Sequence, residues 1–206
     1  DMGITLLTPL LKEPILNDAF PYKMQSSLSD YVNSEYVPGF MASVENMKVN
    51  DVSELPEVRK KRSEESIKQG FYLTNSIPMN KNLSNNLWLP LDAKIRRHAL
   101  DFDKLYVITG PVYLGGQTLG LFGVNKVAIP THFYKVITEP NFHETMAYII
   151  PNRAIVNDGS SKDIQLCSGK TCTAQDFIVN IKEVEKLVGM QFYPVLGDYY
   201  ASKVKK

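Results

Sequence analysis

The chain has 206 residues, a formal charge of +1 with its histidines neutral, and 44% hydrophobic residues. This composition is that of an ordinary globular protein with enough chain to build a core, and it excludes an intrinsically disordered protein. The near-neutral charge argues against a dedicated polyanion binder but leaves room for a local basic groove. No apolar run approaches the roughly 20 residues that a spanning helix needs, so we expect no membrane span.

The N-terminal region is broken into short pieces by prolines. We therefore expect residues 1–27 to be an extension or docking segment ahead of one domain over residues 28–206. Residues 31–50 show neither helical nor strand periodicity and are predicted to form an ordered loop. A charged helix is predicted over Glu54–Gln69, followed by a short strand over Phe71–Thr74.

The rest of the chain alternates between strand and helix patterns. After a polar, turn-rich stretch at residues 80–86, apolar residues at spacings of three and four predict an amphipathic helix over Leu87–Leu100. The remaining predicted strands are Leu105–Leu114, Val127–Ile137, Met146–Ile150 and Phe177–Ile181, and the last predicted helix is Lys182–Val188. This order predicts a mixed α+β domain.

The two cysteines, Cys167 and Cys172, flank a short Ser-Gly-containing segment inside a polar loop. The segment is able to turn back on itself, so either a small-loop disulfide or two free thiols fits the sequence. A disulfide would require an oxidising compartment. With no other cysteine and no nearby histidine pair, a structural zinc site is not expected.

Several strings lie in order between residues 28 and 195: Phe71–Pro78, Trp88–Asp92, Tyr106–Pro111, Val127–Val136 and Tyr148–Asn152. Together they resemble the signatures of the DNA/RNA non-specific endonucleases, the ββα-metal nucleases, and in particular the endonuclease G branch. The resemblance implies a ββα-metal nuclease fold, with a mainly antiparallel mixed sheet and flanking helices.

The resemblance also shows where the chain departs from the family. The family's Asp-Arg-Gly-His motif supplies a histidine that takes a proton from the attacking water. Its four positions are occupied here by Val37, Pro38, Gly39 and Phe40. Phenylalanine has no titratable atom, so the general base is expected to be absent.

The implied metal position is altered as well. The family holds one divalent ion, usually Mg²⁺, through an Asn that stands here as Ser84. A serine hydroxyl is a shorter and poorer ligand, and Asn85 lies about 100° around a helix from it. The family's acidic helix residue is replaced by the shorter Asp92, whereas Asn75, which in relatives helps to organise the site, is retained. No cofactor is therefore expected, and Mg²⁺ is the cofactor if activity persists.

Other histidines do not restore the missing base. His98 is expected to lie on a helix surface, His132 to be a hydrogen-bonded core residue, and His143 to lie in a loop. None precedes the Phe71 strand, where the family's geometry requires the base. The sequence therefore favours a pseudonuclease, with an active or weakly active Mg-dependent endonuclease as the alternative.

A second alternative is nucleic-acid binding without cleavage. Its candidate residues are basic: Arg59, Lys60, Lys61, Arg62, Arg96 and Arg97. The same residues also suit an ordinary solvated surface.

The third hypothesis, and the one we favour, is an accessory interaction subunit. A sheet with fewer strands than in relatives would leave an edge that tends to pair with another protein, and a homodimer is a further option. The resemblance to endonuclease G implies the mitochondrial intermembrane space. Secretion is the alternative location. The chain begins with Asp1 rather than Met, which hints that a leader was removed.

Overall fold

The computed structural model describes residues 26–47, 53, 55–102, 104–140, 144–155 and 172–193. The strands are β1 (Tyr36–Phe40), β2 (Ser76–Asn80), β3 (Tyr106–Val112), β4 (Gly120–Phe122), β5 (Val127–Ile129), β6 (His132–Thr138), β7 (Thr145–Pro151) and β8 (Ile178–Val179). The helices are α1 (Pro56–Gly70), α2 (Lys81–Leu83), α3 (Leu89–Phe102) and α4 (Ile181–Val188), and a π turn over Ser84–Trp88 joins α2 to α3. In these ranges no helix combines the length and apolar content needed to cross a bilayer.

The chain divides into two compact units. The first unit comprises Asp1–Pro78 and Gly120–Ile129, and the second comprises Met79–Leu119 and Pro130–Lys206. The predicted boundary between residues 27 and 28 stays a prediction, because residues 1–25 lie outside the described ranges.

The first unit contains two short strand pairs, the charged helix α1 and a small aromatic cluster. Strand β1 pairs with β2, and β4 pairs with β5 in an antiparallel hairpin. The buried Asp30 carboxylate fixes this hairpin by accepting from the backbone N and the side-chain Nδ2 of Asn125, at 3.1 and 2.8 Å. The rings of Tyr31 and Phe122 meet nearby in edge-to-face contact.

The second unit is built on an antiparallel sheet in the order β3-β6-β7-β8. Strand β6 pairs along its whole length with β3 on one side and with β7 on the other. Thr138, at its end, is opposite Tyr106 of β3 and Thr145 of β7. Because side chains alternate along a strand, the sheet has two distinct faces. Nearly all of β6 is buried, as expected for a central strand covered on both faces.

One face of this sheet packs against α4. The buried cluster there consists of Val112, Tyr134, Val136, Ala147, Ile181 and Val184. Helix α4 presents Ile181 and Val184 to the sheet at helical spacing and ends at Gly189, whose φ of 70° is the left-handed conformation that glycine adopts most readily. The opposite face carries Phe133, whose ring lies 5.4 Å from that of Trp88.

Several sequence predictions are confirmed with small changes of boundary. These are the helices predicted over Glu54–Gln69, Leu87–Leu100 and Lys182–Val188 and the strands over Leu105–Leu114 and Met146–Ile150. Cys172 is disulfide-bonded. Cys167 lies outside the described residues, as does most of the polar loop.

Two predictions near the first unit's strands were wrong. Residues 31–50, predicted to be a loop, contain strand β1, and the strand predicted over Phe71–Thr74 lies later, at β2. A 3-10 turn over Leu73–Asn75 occupies most of the predicted position. Pro38 and Gly39 hide the strand pattern in β1, and they are tolerated because its two-stranded sheet requires few ladder hydrogen bonds.

Two further strand predictions were too long. The run Val127–Ile137 is split into β5 and β6 at Pro130 and Thr131. Proline lacks the N–H that a continuous ladder would need, and Thr131 instead donates its backbone N–H to the Val112 carbonyl at 3.0 Å. The strand predicted over Phe177–Ile181 is only the two residues of β8.

Candidate functional site

Phe40, at the position that the resemblance assigns to the general base, ends strand β1. Its ring meets that of Phe71 edge to face, with centroids 5.5 Å apart and planes at 85°. Phe71 is itself buried. Such aromatic pairs stabilise a fold by more than the area that they bury. A packed hydrocarbon contact thus occupies this position, and the Phe40 ring offers water no proton acceptor.

Asn75 holds the backbone that follows Phe40. Its Oδ1 accepts from the backbone N of Ala42 at 2.8 Å, and its Nδ2 donates to the carbonyls of Ala42 and Gly70 at 2.9 and 2.8 Å. Its own carbonyl accepts from the backbone N of Met41 at 2.9 Å. The amide therefore ties the backbone after β1 to the end of α1.

Ser84, at the implied ligand position, begins the π turn. The helical segment starts at Asn80, whose Oδ1 accepts from the backbone N of Asn82 and of Leu83. The backbone N of Leu89 then donates to the Ser84 carbonyl, which is the i to i+5 pattern of a π turn. Ser84 is buried, whereas Asn85 lies exposed beside it. The side chain at the buried position is thus a serine hydroxyl, and the neighbouring Asn85 amide is exposed.

Asp92 is buried on α3 and accepts a hydrogen bond from the Lys135 ammonium. Both side chains are almost fully buried, at 3% and 1% exposed. The Lys135 ammonium also lies 4.2 Å from the centroid of the Trp88 ring. Burial lowers the pKa of Lys135, and the Asp92 carboxylate opposes that shift. The negative charge of Asp92 is therefore neutralised inside the protein by a cation of the same chain.

Comparison with known proteins identifies the family of the chain. Residues 16–198 match the family model described as DNA/RNA non-specific endonuclease. The chain belongs to that family. The family predicted from the sequence strings is confirmed. The altered motif at Val37, Pro38 and Phe40 stays a prediction.

Curated relatives of the family are nucleases by name. The mitochondrial nuclease EXOG of Mus musculus is 27% identical over 181 residues, covering 81% of this chain and 42% of that protein. The mitochondrial endonuclease G of Caenorhabditis elegans is 29% identical over 186 residues, covering 84% and 52%. Nuclease C1 of Cunninghamella echinulata var. echinulata is 30% identical over 198 residues, covering 88% and 68%. The chain thus spans about half the length of these mitochondrial relatives and about two-thirds of Nuclease C1.

A solved structure confirms the fold class. It is a chain from a crystal structure of an EndoG/EndoGI complex, presented as the mechanism of EndoG inhibition. The similarity has a TM-score of 0.63 at 27% identity and covers 86% of this chain and 66% of that one. The α+β, ββα-metal nuclease architecture predicted from the sequence is therefore confirmed.

The implied metal ion fits these residues poorly. Asp92 is occupied by Lys135, and Ser84 offers a short hydroxyl where Mg²⁺ requires well-placed oxygens in nearly octahedral geometry. We therefore assign no step to a metal ion.

The two histidines that the structure describes lie in different surroundings. His98 lies partly exposed on α3, 3.8 Å from Asp101 through its Nδ1, and packs against the ring of Phe102, in line with the predicted surface position. His132 was predicted to be hydrogen-bonded in the core, and that is wrong in part. It is half-buried, and its Nδ1 is buried without a hydrogen-bond partner. His143 lies outside the described residues.

The basic candidates are distributed over both units. Lys60, Lys61 and Arg62 are exposed on α1 and Arg59 is partly exposed there, with Lys60 4.0 Å from Glu64. In the second unit, Arg97 is exposed and Arg96 is half-buried, its charge contributing to the lowered pKa of Lys135. Nucleic-acid binding by these residues remains a prediction.

Sequence reasoning missed two residues that support the site in the second unit. One is Lys135, which a charged residue inside an apolar central strand could have signalled. The other is Asn152, which is 1% exposed. Its Oδ1 accepts from the backbone N of Asn80 at 2.8 Å, and its Nδ2 donates to the Pro130 carbonyl at 3.0 Å. Asn152 thereby anchors the residue from which the Ser84 segment starts.

Proposed function

We propose that this chain is a non-cleaving member of the DNA/RNA non-specific endonuclease family that acts as an accessory interaction subunit. The observation that carries the proposal is the Phe40–Phe71 ring contact at the general-base position. A positioned base contributes about 10²- to 10⁴-fold to a rate. A bound metal ion stabilises the charge of the transition state by several kcal/mol. A chain without either contribution has little means of hydrolysing a phosphodiester.

The retained residues support a role for the fold itself. Asn75 still makes its three side-chain hydrogen bonds, and Asn152 still anchors the helical segment. The residues that would perform chemistry are changed, whereas these structural clamps remain. That combination is expected of a scaffold kept for what it contacts.

We infer the location and the partner of this chain from its relatives. The relatives from Mus musculus and Caenorhabditis elegans are named as mitochondrial. We therefore place this chain in the mitochondrion, in the intermembrane space as the finer proposal, with secretion as the alternative. The similar EndoG chain was solved in complex with EndoGI. Its similarity supports a protein partner for this chain, either another subunit or a second copy.

Cleavage is tested by incubating the purified protein with supercoiled plasmid and Mg²⁺. The expected result is no nicking above a buffer control. Mg-dependent nicking that co-purifies with the chain, and disappears in an Asp92→Asn variant shown to be folded, would overturn the proposal and favour the active-nuclease alternative. In the opposite direction, the triple variant Pro38→Arg, Phe40→His, Ser84→Asn should gain Mg-dependent nicking, whereas Pro38→Arg with Ser84→Asn alone should gain none.

The accessory role is tested in the native source. An affinity-tagged chain expressed at its natural level should migrate, in native electrophoresis and in sedimentation, as a particle larger than a monomer with constant stoichiometry. Migration of the whole population as a free monomer would contradict the role.

Nucleic-acid binding without cleavage is the second candidate, and one observation favours it. Three of the four consecutive bases on α1 are exposed, with Lys60, Lys61 and Arg62 forming one charged stretch. A salt-sensitive gel shift of duplex DNA with no product would support this candidate.

A further inference from the structure

The second unit contains a half-open cavity of about 490 Å³, beside the start of β6 and the end of β7. Register pairs His132 of β6 with Pro151 of β7, and both residues line the cavity. Opposite residues of an antiparallel pair share one face, so these two lie on the face of the sheet that carries Tyr134 and packs against α4. Lys135, which binds Asp92, alternates with them along β6 and points to the other face. The cavity therefore lies on a different face from the residues of the nuclease-like site.

Most of the cavity wall is apolar. Ile149, Phe177 and Val179 line it, and Leu114 and Leu119 also line it with 49% and 52% of their surface exposed. Large apolar side chains around a concavity are the usual lining of small-molecule sites, because a ligand removes them from water. This lining favours a ligand with an apolar body.

The uncharged polar side chains deep in the wall already have partners within the chain. Thr131 Oγ1 donates to the Val112 carbonyl and accepts from the backbone N of Leu114, at 2.9 and 3.0 Å. Asn152 Nδ2 donates to the Pro130 carbonyl at 3.0 Å, and its Oδ1 accepts from a backbone N at 2.8 Å. These hydrogen bonds hold the shape of the wall before any ligand arrives, which reduces the entropic cost of binding.

The charged groups of the wall balance each other, and they are engaged as well. Arg153 contributes one positive charge and Asp176 one negative charge, and both have interactions within the chain. The Asp176 carboxylate accepts from the backbone N of Thr173 and from its hydroxyl, at 2.8 and 3.1 Å. Burial and Arg153 lower the pKa of His132, so its imidazole is neutral at about pH 7. The lining residues therefore give a ligand neither a net charge nor an unengaged ion to pair with.

This balance decides the charge of a ligand. A charged group that entered the cavity would lose its hydration without gaining an ionic partner, which is unfavourable. A neutral ligand avoids that loss and gains from the apolar surface that it removes from water. The rings of Phe177 and His132 are flat surfaces in the wall, and they suit contact with the face or the edge of an aromatic ligand.

We propose that this cavity binds a small, neutral aromatic molecule, held by apolar contact with Leu119, Ile149 and Phe177. The ligand class is set by an apolar wall whose charges are balanced and already engaged. The site is independent of cleavage and of the nuclease-like residues, so it stands whether or not the proposed function does.

The test compares three probes that share one naphthyl ring system and differ in charge. They are 2-naphthalenemethanol, which is neutral, 2-naphthoate, an anion, and 2-naphthylmethylammonium, a cation. Each is titrated into the full chain while the ring protons of its histidines are followed by nuclear magnetic resonance. The neutral probe should bind at least about tenfold more tightly than either ion. It should shift the ring signals of His132 and leave those of His98 unchanged.

Two variants with a matched control locate the site. Leu119 and Leu89 are both 52% exposed, but Leu89 is not part of the cavity wall. Leu119→Gln should weaken the neutral probe about fivefold, because it removes apolar contact surface, and Leu89→Gln should leave the affinity unchanged. Gln117 is an exposed lining residue. Gln117→Leu should tighten binding about two- to fivefold by adding apolar surface, a gain that misfolding cannot produce.

Three results would overturn the proposal. The first is an ion that binds as tightly as the neutral probe. The second is equal affinity of folded Leu119→Gln and Leu89→Gln for that probe. The third is a His132 ring whose signals stay unshifted at the highest probe concentration that dissolves.

Discussion

Asp92 and Lys135 form a charged pair inside the second unit, and their burial decides what each substitution does. Removing Lys135 by Lys135→Met leaves an uncompensated carboxylate in an apolar setting. We expect the free energy of unfolding to fall by about 3–5 kcal/mol, measured by urea denaturation. Asp92→Leu should cost a similar amount, because it leaves the buried ammonium without its acceptor.

The double variant Asp92→Leu, Lys135→Met tests whether the pair acts as a unit. Replacing both charges by apolar groups of similar volume should bring stability back to within about 1–2 kcal/mol of the parent. Additive losses in the double variant would show that the two residues act separately, and would contradict the buried pair.

We expect the stability of the fold to depend on pH through His132, and the surroundings of this residue give the direction of the change. Its pKa is lowered from the ordinary value of 6.5 by burial and by Arg153. Between the two pKa values the unfolded chain binds more protons than the folded chain, so folding is weakened as pH falls. The contribution of neutral His132 to the free energy of unfolding is complete above about pH 6.5. It declines as pH falls through the pKa of His132 in the folded chain.

The measurement is the difference in unfolding free energy between the parent and His132→Gln from pH 7.5 down to pH 5. The parent should lose stability relative to His132→Gln over this window. His98→Gln serves as the control, because it leaves His132 intact and should keep the parent's decline. A parallel pair of curves for the parent and His132→Gln would refute the assignment.

The neighbouring sequence strings assign site positions to Phe40, Ser84 and Asp92, and that assignment stays a prediction. The sequence did not predict what these side chains contact. Lys135 lies 43 residues from Asp92. Such a pairing depends on which helix covers which sheet face, and local sequence patterns do not carry that information.

At the scale of elements, prediction succeeded where one face is continuously apolar. Helices α3 and α4 and strands β3 and β7 follow their periodicity closely. It failed at β1, whose Pro38 and Gly39 break the pattern, and at the start of the helical segment. There, residues 80–86 are polar, yet Asn80 caps a helix that continues through α2 and the π turn. Helix caps and turns are determined by single side chains, so a method based on hydrophobic periodicity does not detect them.

Two glycines with the same backbone conformation offer a test of element packing. Gly123 and Gly189 have φ of 71° and 70°. A Cβ at Gly123 would collide with the Asp30 side chain, whereas one at Gly189 would meet no atom within 4 Å. Gly189→Ala should therefore cost only the backbone strain of about 1–2 kcal/mol.

Gly123→Ala carries the same strain and also displaces the carboxylate that holds Asn125. We expect it to cost at least about 1 kcal/mol more than Gly189→Ala in thermal or urea unfolding. Restoring space with Asp30→Ala in the Gly123→Ala background should not restore stability, because that substitution removes the hydrogen bonds to the hairpin. Equal costs for the two single glycine variants would contradict the packing role of Asp30.

For the whole molecule, a charge of +1 leaves little long-range attraction for nucleic acid. Any binding must then come from a local stretch such as Lys60, Lys61 and Arg62 on α1. Binding of that kind is dominated by counterion release. Its affinity therefore falls steeply as salt rises.

The distinguishing measurement is the slope of log affinity against log salt for a duplex oligonucleotide. Substituting Lys60, Lys61 and Arg62 by Gln should reduce that slope by about 0.9 for each phosphate that is no longer neutralised, and so by up to about 2.7. A matched control that also removes three exposed charges, Arg97→Gln with Lys182→Gln and Lys186→Gln, should leave the slope unchanged. If the parent shows no measurable affinity at low salt, the basic stretch does not bind duplex nucleic acid, and the non-cleaving binding candidate is contradicted.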